Sequence, residues 1–266
     1  MDFMKIGKVE LYINETLQKK GGMLFSLIDP VDYDTPELAI ATAKASAEGG
    51  ADVVLLGGSI GAQGELLEHV AKGIKEAIDV PLVLFSPGNI TKNADAIYFM
   101  SLLNSRNPHW HTQEQLLRAP LIKAHKIEPL PLGYIVVAPG GTVGWVADVN
   151  LIPREKPKIA AALALTGQYL GYRLIFTDTG SNPKLQGYGH VPSEMIAAVK
   201  SVIDVPYIVG GGITSPKELK EVLAAGADIA TIGATFEGNA PEEVKKRARS
   251  FADVVKEEGE KKLKGH

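Results

Sequence analysis

The segment IDVPLVLF at residues 78–85 recurs as IDVPYIVG at residues 203–210, and this repeat indicates the fold. Each copy passes from the end of a helical segment, through Asp and Pro, into a run of aliphatic and β-branched residues. A second pair repeats in the same way, with GGADVVLLGG at residues 49–58 and AGADIATIGA at residues 225–234. Repeated helix–strand units favour one closed architecture without a linker.

Eight short apolar runs of this kind occur along the chain, and most are followed by a Gly, Ser or Asp cluster and then a helical segment. They begin near Met23, Asp52, Pro81, Ala96, Tyr134, Arg173, Pro206 and Asp228. Their nearly continuous apolar character is typical of parallel strands buried on both faces. Eight such strands with helices in about 250 residues are the count of a (β/α)₈ barrel. We therefore predict an α/β protein with a single TIM-barrel domain over residues 1–266.

The helices have recognisable ends. Ser215 is the expected N-cap of one helix, Glu218 completes a capping box, and Gly226 marks the stop. Only about ten residues separate the third and fourth runs, so the helix between these strands is predicted to be shortened or missing. The first 20 residues predict an extra N-terminal helix, and residues 240–265 a long final helix whose charges form a solvated face.

Composition excludes several classes of function. A formal net charge of -3 provides no long-range attraction to nucleic acid. No apolar run approaches the roughly 20 residues that span a bilayer, and the N-terminal segment lacks a signal-peptide core, so we expect a cytoplasmic protein without a transmembrane segment. The absence of cysteine excludes disulfides, thiolate metal sites and cysteine nucleophiles.

Glycine-rich clusters follow the predicted strands, at the end of a TIM barrel where active sites form. The residues expected there are Ser26 and Asp29, Gly57 to Ser59, Pro87 to Asn89, residues 101–107, Pro139 to Gly141, Thr177 to Asn182, Gly210 to Gly212 and Gly233 to Thr235. Glycine lets backbone N–H groups approach an anion closely, and the last two clusters follow strands seven and eight, where barrels commonly bind phosphate. The pattern predicts a phosphate site, against the alternative that these glycines only let the chain turn.

Side chains that could bind metal or diphosphate are few. Asp29 lies just beyond the first strand and is the best candidate for a Mg²⁺ ligand. His109 and His111 have a spacing that can chelate a metal on a strand, but their surroundings indicate a loop and favour a structural role. Arg106 can meet a diphosphate or tie down backbone carbonyls. Neither dinucleotide-binding nor P-loop spacing occurs, so NAD and ATP have no positive support.

Residues 178–181, Asp-Thr-Gly-Ser, match the tetrapeptide that carries the catalytic carboxylate of aspartic proteases. Those enzymes need two carboxylates that share a proton, in an all-β fold. This chain has one copy among alternating strands and helices, so only a dimeric version of that hypothesis survives.

Several motifs in one order carry a resemblance to a known family. They are LIDP, LLGGS, SPGN, FMSLLNSRNP, VAPGGTVGWV, LIPREKP, the GS of FTDTGS, and VGGGI, between Gly22 and Asn239. Together they resemble geranylgeranylglyceryl phosphate synthases of the archaeal type. The resemblance implies a TIM barrel that joins a polyprenyl diphosphate, geranylgeranyl diphosphate above all, to sn-glycerol 1-phosphate, forming the first ether bond of archaeal membrane lipids. It also implies Mg²⁺ as cofactor and a homo-oligomeric assembly.

The resemblance also implies roles for particular residues. Asp29 and Ser59 fall at the Mg²⁺-diphosphate site, and Asp178 is the carboxylate that would orient or deprotonate the attacking glycerol hydroxyl. The glycerol-phosphate contacts fall on Phe176, Thr177, Thr179, Gly180, Ser181, Asn182, Gly211, Gly212, Gly233 and Ala234.

One segment departs from the family pattern. The usual Tyr-Leu-Glu-Ala-Gly-Ser-Gly is replaced by Phe-Thr-Asp-Thr-Gly-Ser-Asn at residues 176–182. Phe176 lacks a phenolic hydroxyl, and the carboxylate of Asp178 is one methylene shorter than Glu. Two alternatives therefore stay open: another phosphate-binding barrel enzyme, such as a sugar-phosphate isomerase or an FMN-dependent enzyme, or a non-catalytic binding homologue. The residues of the prenyl groove and its chain-length preference are not identified by the sequence.

Overall fold

A closed parallel barrel of eight strands forms the centre of the protein, in a computed structural model that describes residues 5–86 and 90–265. The predicted rim cluster Pro87 to Asn89 lies outside the described residues. The strands are β1 (Met23–Ile28), β2 (Val53–Leu56), β3 (Leu82–Leu84), β4 (Ala96–Leu102), β5 (Glu128–Val136), β6 (Leu174–Asp178), β7 (Tyr207–Gly210) and β8 (Ile229–Ile232). Each strand pairs with the next, and β8 closes the barrel on β1. The predicted TIM-barrel fold is confirmed.

Nine helices of the described chain surround or flank the barrel. They are α1 (Lys8–Lys20), α2 (Pro36–Gly49), α3 (Gly64–Ala77), α4 (Gln113–His125), α5 (Gly141–Val146), α6 (Pro157–Tyr169), α7 (Ser193–Lys200), α8 (Pro216–Ala224) and α9 (Pro241–Lys264). Between β3 and β4, the described residues 85–86 and 90–95 contain no helix. None of the helices in the described part of the chain is long and apolar enough to cross a membrane.

One strand begins earlier than the sequence predicts. β5 starts at Glu128 rather than near Tyr134, and it pairs with β4 from Ala96↔Glu128 to Leu102↔Tyr134. Its first half contains Pro129 and Pro131, residues that are normally depleted in strands and therefore hide the signal.

The extra helix α1 closes the amino end of the barrel. The Glu128 carboxylate accepts hydrogen bonds from the backbone N–H groups of Val9 at 2.8 Å and Glu10 at 2.9 Å, which satisfies the first turn of α1. Arg173 donates to Glu10 at 2.8 Å, while Ile13 is fully buried against the barrel. A ligand site in the barrel must therefore open at the opposite, carboxyl end.

The repeated Ala-Asp dipeptide before a strand has a common structural role. In three units the Asp carboxylate accepts the backbone N–H of a residue at the start of the preceding strand and also pairs with a lysine near the end of the helix before that strand. The three sets are Asp52 with Leu24 and Lys20, Asp95 with Leu82 and Lys75, and Asp228 with Tyr207 and Lys200. Each of these sets, here called a lock, connects two neighbouring strands, so the sequence repeat encodes a repeated contact between strands.

Removing one of these locks is expected to destabilise the barrel. Asp52→Ala leaves the buried N–H of Leu24 and the Lys20 ammonium without their acceptor, and should lower the free energy of unfolding by about 2–3 kcal/mol. Asp253→Ala, at an exposed carboxylate on α9, is the matched control and should stay within about 0.5 kcal/mol of the wild type. Denaturant unfolding measures both, and equal losses would contradict the role of the lock.

The predicted capping box at α8 forms only in part. Ser215 accepts the backbone N–H of Glu218 at 3.3 Å, as expected. The Glu218 carboxylate, however, accepts from the backbone N–H of Thr214 at 2.8 Å instead of from Ser215. The hydrogen bond to the Glu218 side chain therefore comes from the residue before the N-cap instead of from the N-cap itself.

Candidate active site

A cleft with two lobes opens at the carboxyl end of the barrel. The smaller lobe, of about 80 Å³, lies over β6, β7 and β8, and the larger, of about 450 Å³, lies over β2 to β5. Six residues line both lobes: Leu27, Asp29, Phe85, Asp178, Gly180 and Ser181. The two aspartates that the sequence singles out therefore stand where the lobes meet.

The small lobe is built from the loops after β6, β7 and β8. The structure brings together there Phe176, Gly180, Ser181, Asn182, Gly211, Gly212, Gly233 and Ala234, all predicted as phosphate contacts. Gly211 and Gly212 have φ angles of +77° and +72°, a conformation that leaves consecutive backbone N–H groups free to form an anion-binding concavity. The amino end of α8, which begins at Pro216 four residues after Gly212, adds its partial positive charge.

Two predicted contact residues line neither lobe. Thr177 alternates with Phe176 and Asp178 along β6, so its side chain points to the opposite face, where its hydroxyl lies 2.7 Å from the Tyr207 hydroxyl. Thr179 is fully buried, and its side chain packs below Gly211. The structure thus gives both threonines a packing role beside the site.

The large lobe is predominantly apolar. Its apolar wall consists of Leu27, Ile60, Phe85, Met100, Leu102, Trp110, Tyr134, Val143, Val146 and Ala147. Arg118, Gln63 and Ser59 supply polar groups at its edge. A lobe of this composition suits a hydrocarbon chain with a polar head directed toward the aspartates.

Asp178 is held by hydrogen bonds to both of its carboxylate oxygens. The Tyr134 hydroxyl donates to Oδ2 at 2.6 Å, and the Gly180 backbone N–H donates to Oδ1 at 2.8 Å. Burial raises the pKa of Asp178 even though these bonds act to lower it. Each carboxylate oxygen can accept a second hydrogen bond, so Asp178 is fixed in orientation and remains able to accept one from a ligand.

The negative charge of the Asp29 carboxylate is poorly stabilised by its surroundings. Burial, followed by the charges of Asp32 and Asp178, raises the pKa of Asp29 to about 7. Its Oδ1 is buried and has no hydrogen-bond partner within the described residues. This oxygen lies so close to Gly57 that a Cβ on Gly57 would be only 2.3 Å from it. Such an oxygen fits a cation that would neutralise the carboxylate.

The protein ligands for such a cation would be few. In residues 5–86 and 90–265 no group of three or more His, Asp or Glu side chains is arranged to hold a metal. Mg²⁺ is commonly held by one or two carboxylates with water and phosphate oxygens completing the shell. Asp29 fits that pattern, while Ser59 is exposed and lines the same lobe.

The remaining polar candidates have structural partners. His109 pairs with Glu114 at 2.9 Å, and the His111 ring lies 2.9 Å from the Ser105 carbonyl, in agreement with structural roles. Arg106 pairs with Asp148 at 2.7 Å on the surface.

Sequence reasoning missed several residues of the cleft. The register of β5 and β6 brings Tyr134 opposite Phe176, and Phe85 lies directly after the end of β3. Glu237, in the loop after β8, also lines the small lobe. Burial, followed by the charges of Asp32 and Asp29, raises the pKa of Glu237 to about 7. Lys184 lies two residues beyond the predicted segment, which ends at Asn182, so a segment longer by two residues would have included it.

The unusual state of Asp29 leads to a test of stability against pH. Because the folded protein holds the proton of Asp29 more tightly than the unfolded chain, ionisation of Asp29 costs stability as the pH rises from about 4 to about 7. Asp29→Asn removes that cost, so its unfolding temperature should exceed that of the wild type at pH 8, and the gain should shrink at pH 5. Differential scanning calorimetry without added metal measures this, and a gain independent of pH would contradict it.

Fold and site together define the class: a phosphate-binding TIM barrel in which an acidic centre joins a polar lobe to a hydrocarbon-lined one. The protease hypothesis fails, because Asp178 ends a strand of a parallel α/β barrel rather than lying in an all-β fold, and its carboxylate accepts a hydrogen bond from Tyr134. Residues 15–254 match the PcrB family, and the chain belongs to that family.

Several relatives are similar over nearly their whole length. The geranylgeranylglyceryl phosphate synthase of Thermococcus sibiricus is 52% identical, over 96% of this chain and 98% of the relative. That of Pyrococcus horikoshii is 50% identical, over 96% and 99%. The crystal structure of (S)-3-O-geranylgeranylglyceryl phosphate synthase from Thermoplasma acidophilum in complex with its substrate sn-glycerol-1-phosphate superposes with a TM-score of 0.87 at 33% identity, over 95% of this chain and 100% of that one.

Proposed function

We propose that this protein is a prenyltransferase that joins a polyprenyl diphosphate, geranylgeranyl diphosphate in the first instance, to sn-glycerol 1-phosphate. The observation that carries the proposal is the meeting of the two lobes at Asp29 and Asp178. A phosphate lobe and a hydrocarbon lobe with one shared centre match a reaction between one small phosphate ester and one long prenyl chain. The names of the relatives and the substrate bound in the Thermoplasma acidophilum structure support the same reaction.

In this reaction the glycerol oxygen forms a bond to the first carbon of the prenyl chain, and the bond from that carbon to diphosphate breaks. The loops after β7 and β8 hold the glycerol phosphate through backbone N–H groups. Asp178, locked by Tyr134 and Gly180, accepts a hydrogen bond from the attacking hydroxyl and takes its proton. The raised pKa of Asp178 makes it a stronger base than an ordinary carboxylate.

We further propose that Mg²⁺ binds at Asp29, with Ser59 at the edge of the same site. When bound, Mg²⁺ supplies positive charge against the negative charge that grows on the departing diphosphate. Because the cation needs the ionised carboxylate and the pKa of Asp29 is about 7, Mg²⁺ affinity should rise about tenfold between pH 6 and pH 8. Titration with Mg²⁺ followed by tryptophan fluorescence measures this at both pH values, and equal affinities would contradict Asp29 as ligand.

The reaction itself is tested by incubating the purified protein with geranylgeranyl diphosphate and sn-glycerol 1-phosphate, with Mg²⁺ or with a chelator. We expect an ether product by mass spectrometry and stoichiometric diphosphate in the first case. Binding of glycerol phosphate without product would instead support the non-catalytic homologue, and a visible flavin spectrum would support an FMN-dependent barrel. A homo-oligomer in the cytoplasm stays a prediction, to be checked by light scattering and cell fractionation.

A further inference from the structure

We propose that Lys184 is a phosphate-binding cation of the small lobe: its ammonium binds the phosphate group of the glycerol phosphate and in the free protein is held in place by Glu218 and Thr214. The inference rests on the proposed function. It adds to the backbone phosphate contacts a side chain that responds to the charge of the ligand.

The glycerol phosphate needs a cation of its own in the small lobe, because the Mg²⁺ proposed at Asp29 is assigned to the diphosphate. Asp29, Asp178 and Glu237 all line the lobe with carboxylates, and a phosphate monoester brings about two further negative charges. Among the described residues that line this lobe, Lys184 carries the only side-chain positive charge. Backbone N–H groups contribute partial charges, so a full cation is the component that can balance the incoming dianion.

Lys184 is positioned from two sides. Its Nζ donates to the Thr214 hydroxyl, and it lies 2.7 Å from Glu218 Oε1. Thr214 and Lys184 both line the small lobe, and Thr214 lies between the Gly211 and Gly212 turn and Ser215, the N-cap of α8. The segment from Gly211 to Thr214, which lines the lobe, thus also holds the Lys184 ammonium in place.

Glu218 has a second role in this arrangement. Burial acts to raise the pKa of Glu218, but hydrogen bonds from Lys184 and Thr214 outweigh it and lower the pKa to about 2. Glu218 is therefore ionised at every physiological pH and competes with the ligand for the lysine. An incoming phosphate must share Lys184 with Glu218, so the carboxylate weakens phosphate binding while it holds the lysine in place.

The test measures the Kd for sn-glycerol 1-phosphate by isothermal titration calorimetry on the full chain. Lys184→Met keeps the aliphatic stem and removes the charge, and should raise the Kd about tenfold, the loss of one charge-assisted hydrogen bond. Glu218→Gln keeps an acceptor for Thr214 but removes the competing charge, and should lower the Kd. Lys184→Arg should bind within about threefold of the wild type, because the positive charge is retained.

Lys217→Met is the matched control, because Lys217 is a neighbouring lysine in the first turn of α8 whose side chain is 87% exposed. It should leave the Kd unchanged. If Lys184 only ties the loop to α8, the Lys184→Met and Glu218→Gln variants will both weaken binding, and that result overturns the inference. An unchanged Kd in Lys184→Met also overturns it. Failure of the wild type to bind sn-glycerol 1-phosphate removes the proposed function and the inference together, whereas wild-type binding that Lys184→Met leaves unchanged removes the inference alone.

Discussion

Asp178→Ala is expected to lower kcat for prenyl transfer by about 10³-fold, within the range that general-base catalysis contributes. The variant loses the group that orients the glycerol hydroxyl and takes its proton, and it leaves the Tyr134 hydroxyl without its acceptor. Steady-state kinetics with both substrates measures the loss, and circular dichroism checks the fold.

Two further variants sharpen that prediction. Thr177→Val alters the adjacent residue of β6, whose side chain bonds Tyr207 on the opposite face of the strand, and should keep kcat within about threefold of the wild type. Asp178→Asn retains the shape of the side chain but cannot accept a proton at neutral pH. Full activity of Asp178→Asn would contradict the role of Asp178 as base.

Gly211→Ala is expected to weaken binding of glycerol phosphate by about 10²-fold, the effect of displacing a binding group by about 1 Å. A Cβ at Gly211 would lie 2.3 Å from Thr179 Oγ1 and 2.6 Å from Asp178 Oδ1, so the turn that presents the backbone N–H groups must shift. The φ of +77° adds strain of about 1 kcal/mol for any residue with a side chain.

The control for this variant separates backbone strain from the steric effect. Gly171 also has a positive φ, of +97°, but a Cβ there meets nothing within 4 Å, and it lies in the turn before β6 at the far end of the barrel. Gly171→Ala should therefore cost stability without changing the Kd, as measured by calorimetric titration. Equal effects of the two substitutions on the Kd would show that Gly211 does not shape the phosphate site.

The parts of the fold that could be predicted from sequence are those encoded by local repeats. The IDVP and Ala-Asp segments mark helix–strand junctions, and the structure shows why the Asp recurs, since it accepts a backbone N–H of the neighbouring strand. The early start of β5 could not be predicted, because Pro129 and Pro131 are poor strand residues and only pairing with β4 makes them part of the sheet.

The same distinction applies to the site. The glycine turns after β7 and β8 were predictable, because backbone conformation and position on the barrel are local properties. The contact between Tyr134 and Asp178 joins residues 44 positions apart and depends on the register of β5 and β6. It also bears on the departure at Phe176: that residue has no hydroxyl, but Tyr134, with its ring centroid 5.2 Å from that of Phe176, places a phenolic hydroxyl on the carboxylate of Asp178.

The central claim is that the two lobes hold sn-glycerol 1-phosphate and a polyprenyl diphosphate for ether formation at Asp178. The most direct measurement is the product mass from one incubation with Mg²⁺, geranylgeranyl diphosphate, deuterium-labelled sn-glycerol 1-phosphate and an equal amount of its unlabelled 3-phosphate enantiomer. We expect the deuterated ether as the predominant product. An unlabelled ether in comparable amount, or no ether with both substrates demonstrably bound, would contradict it.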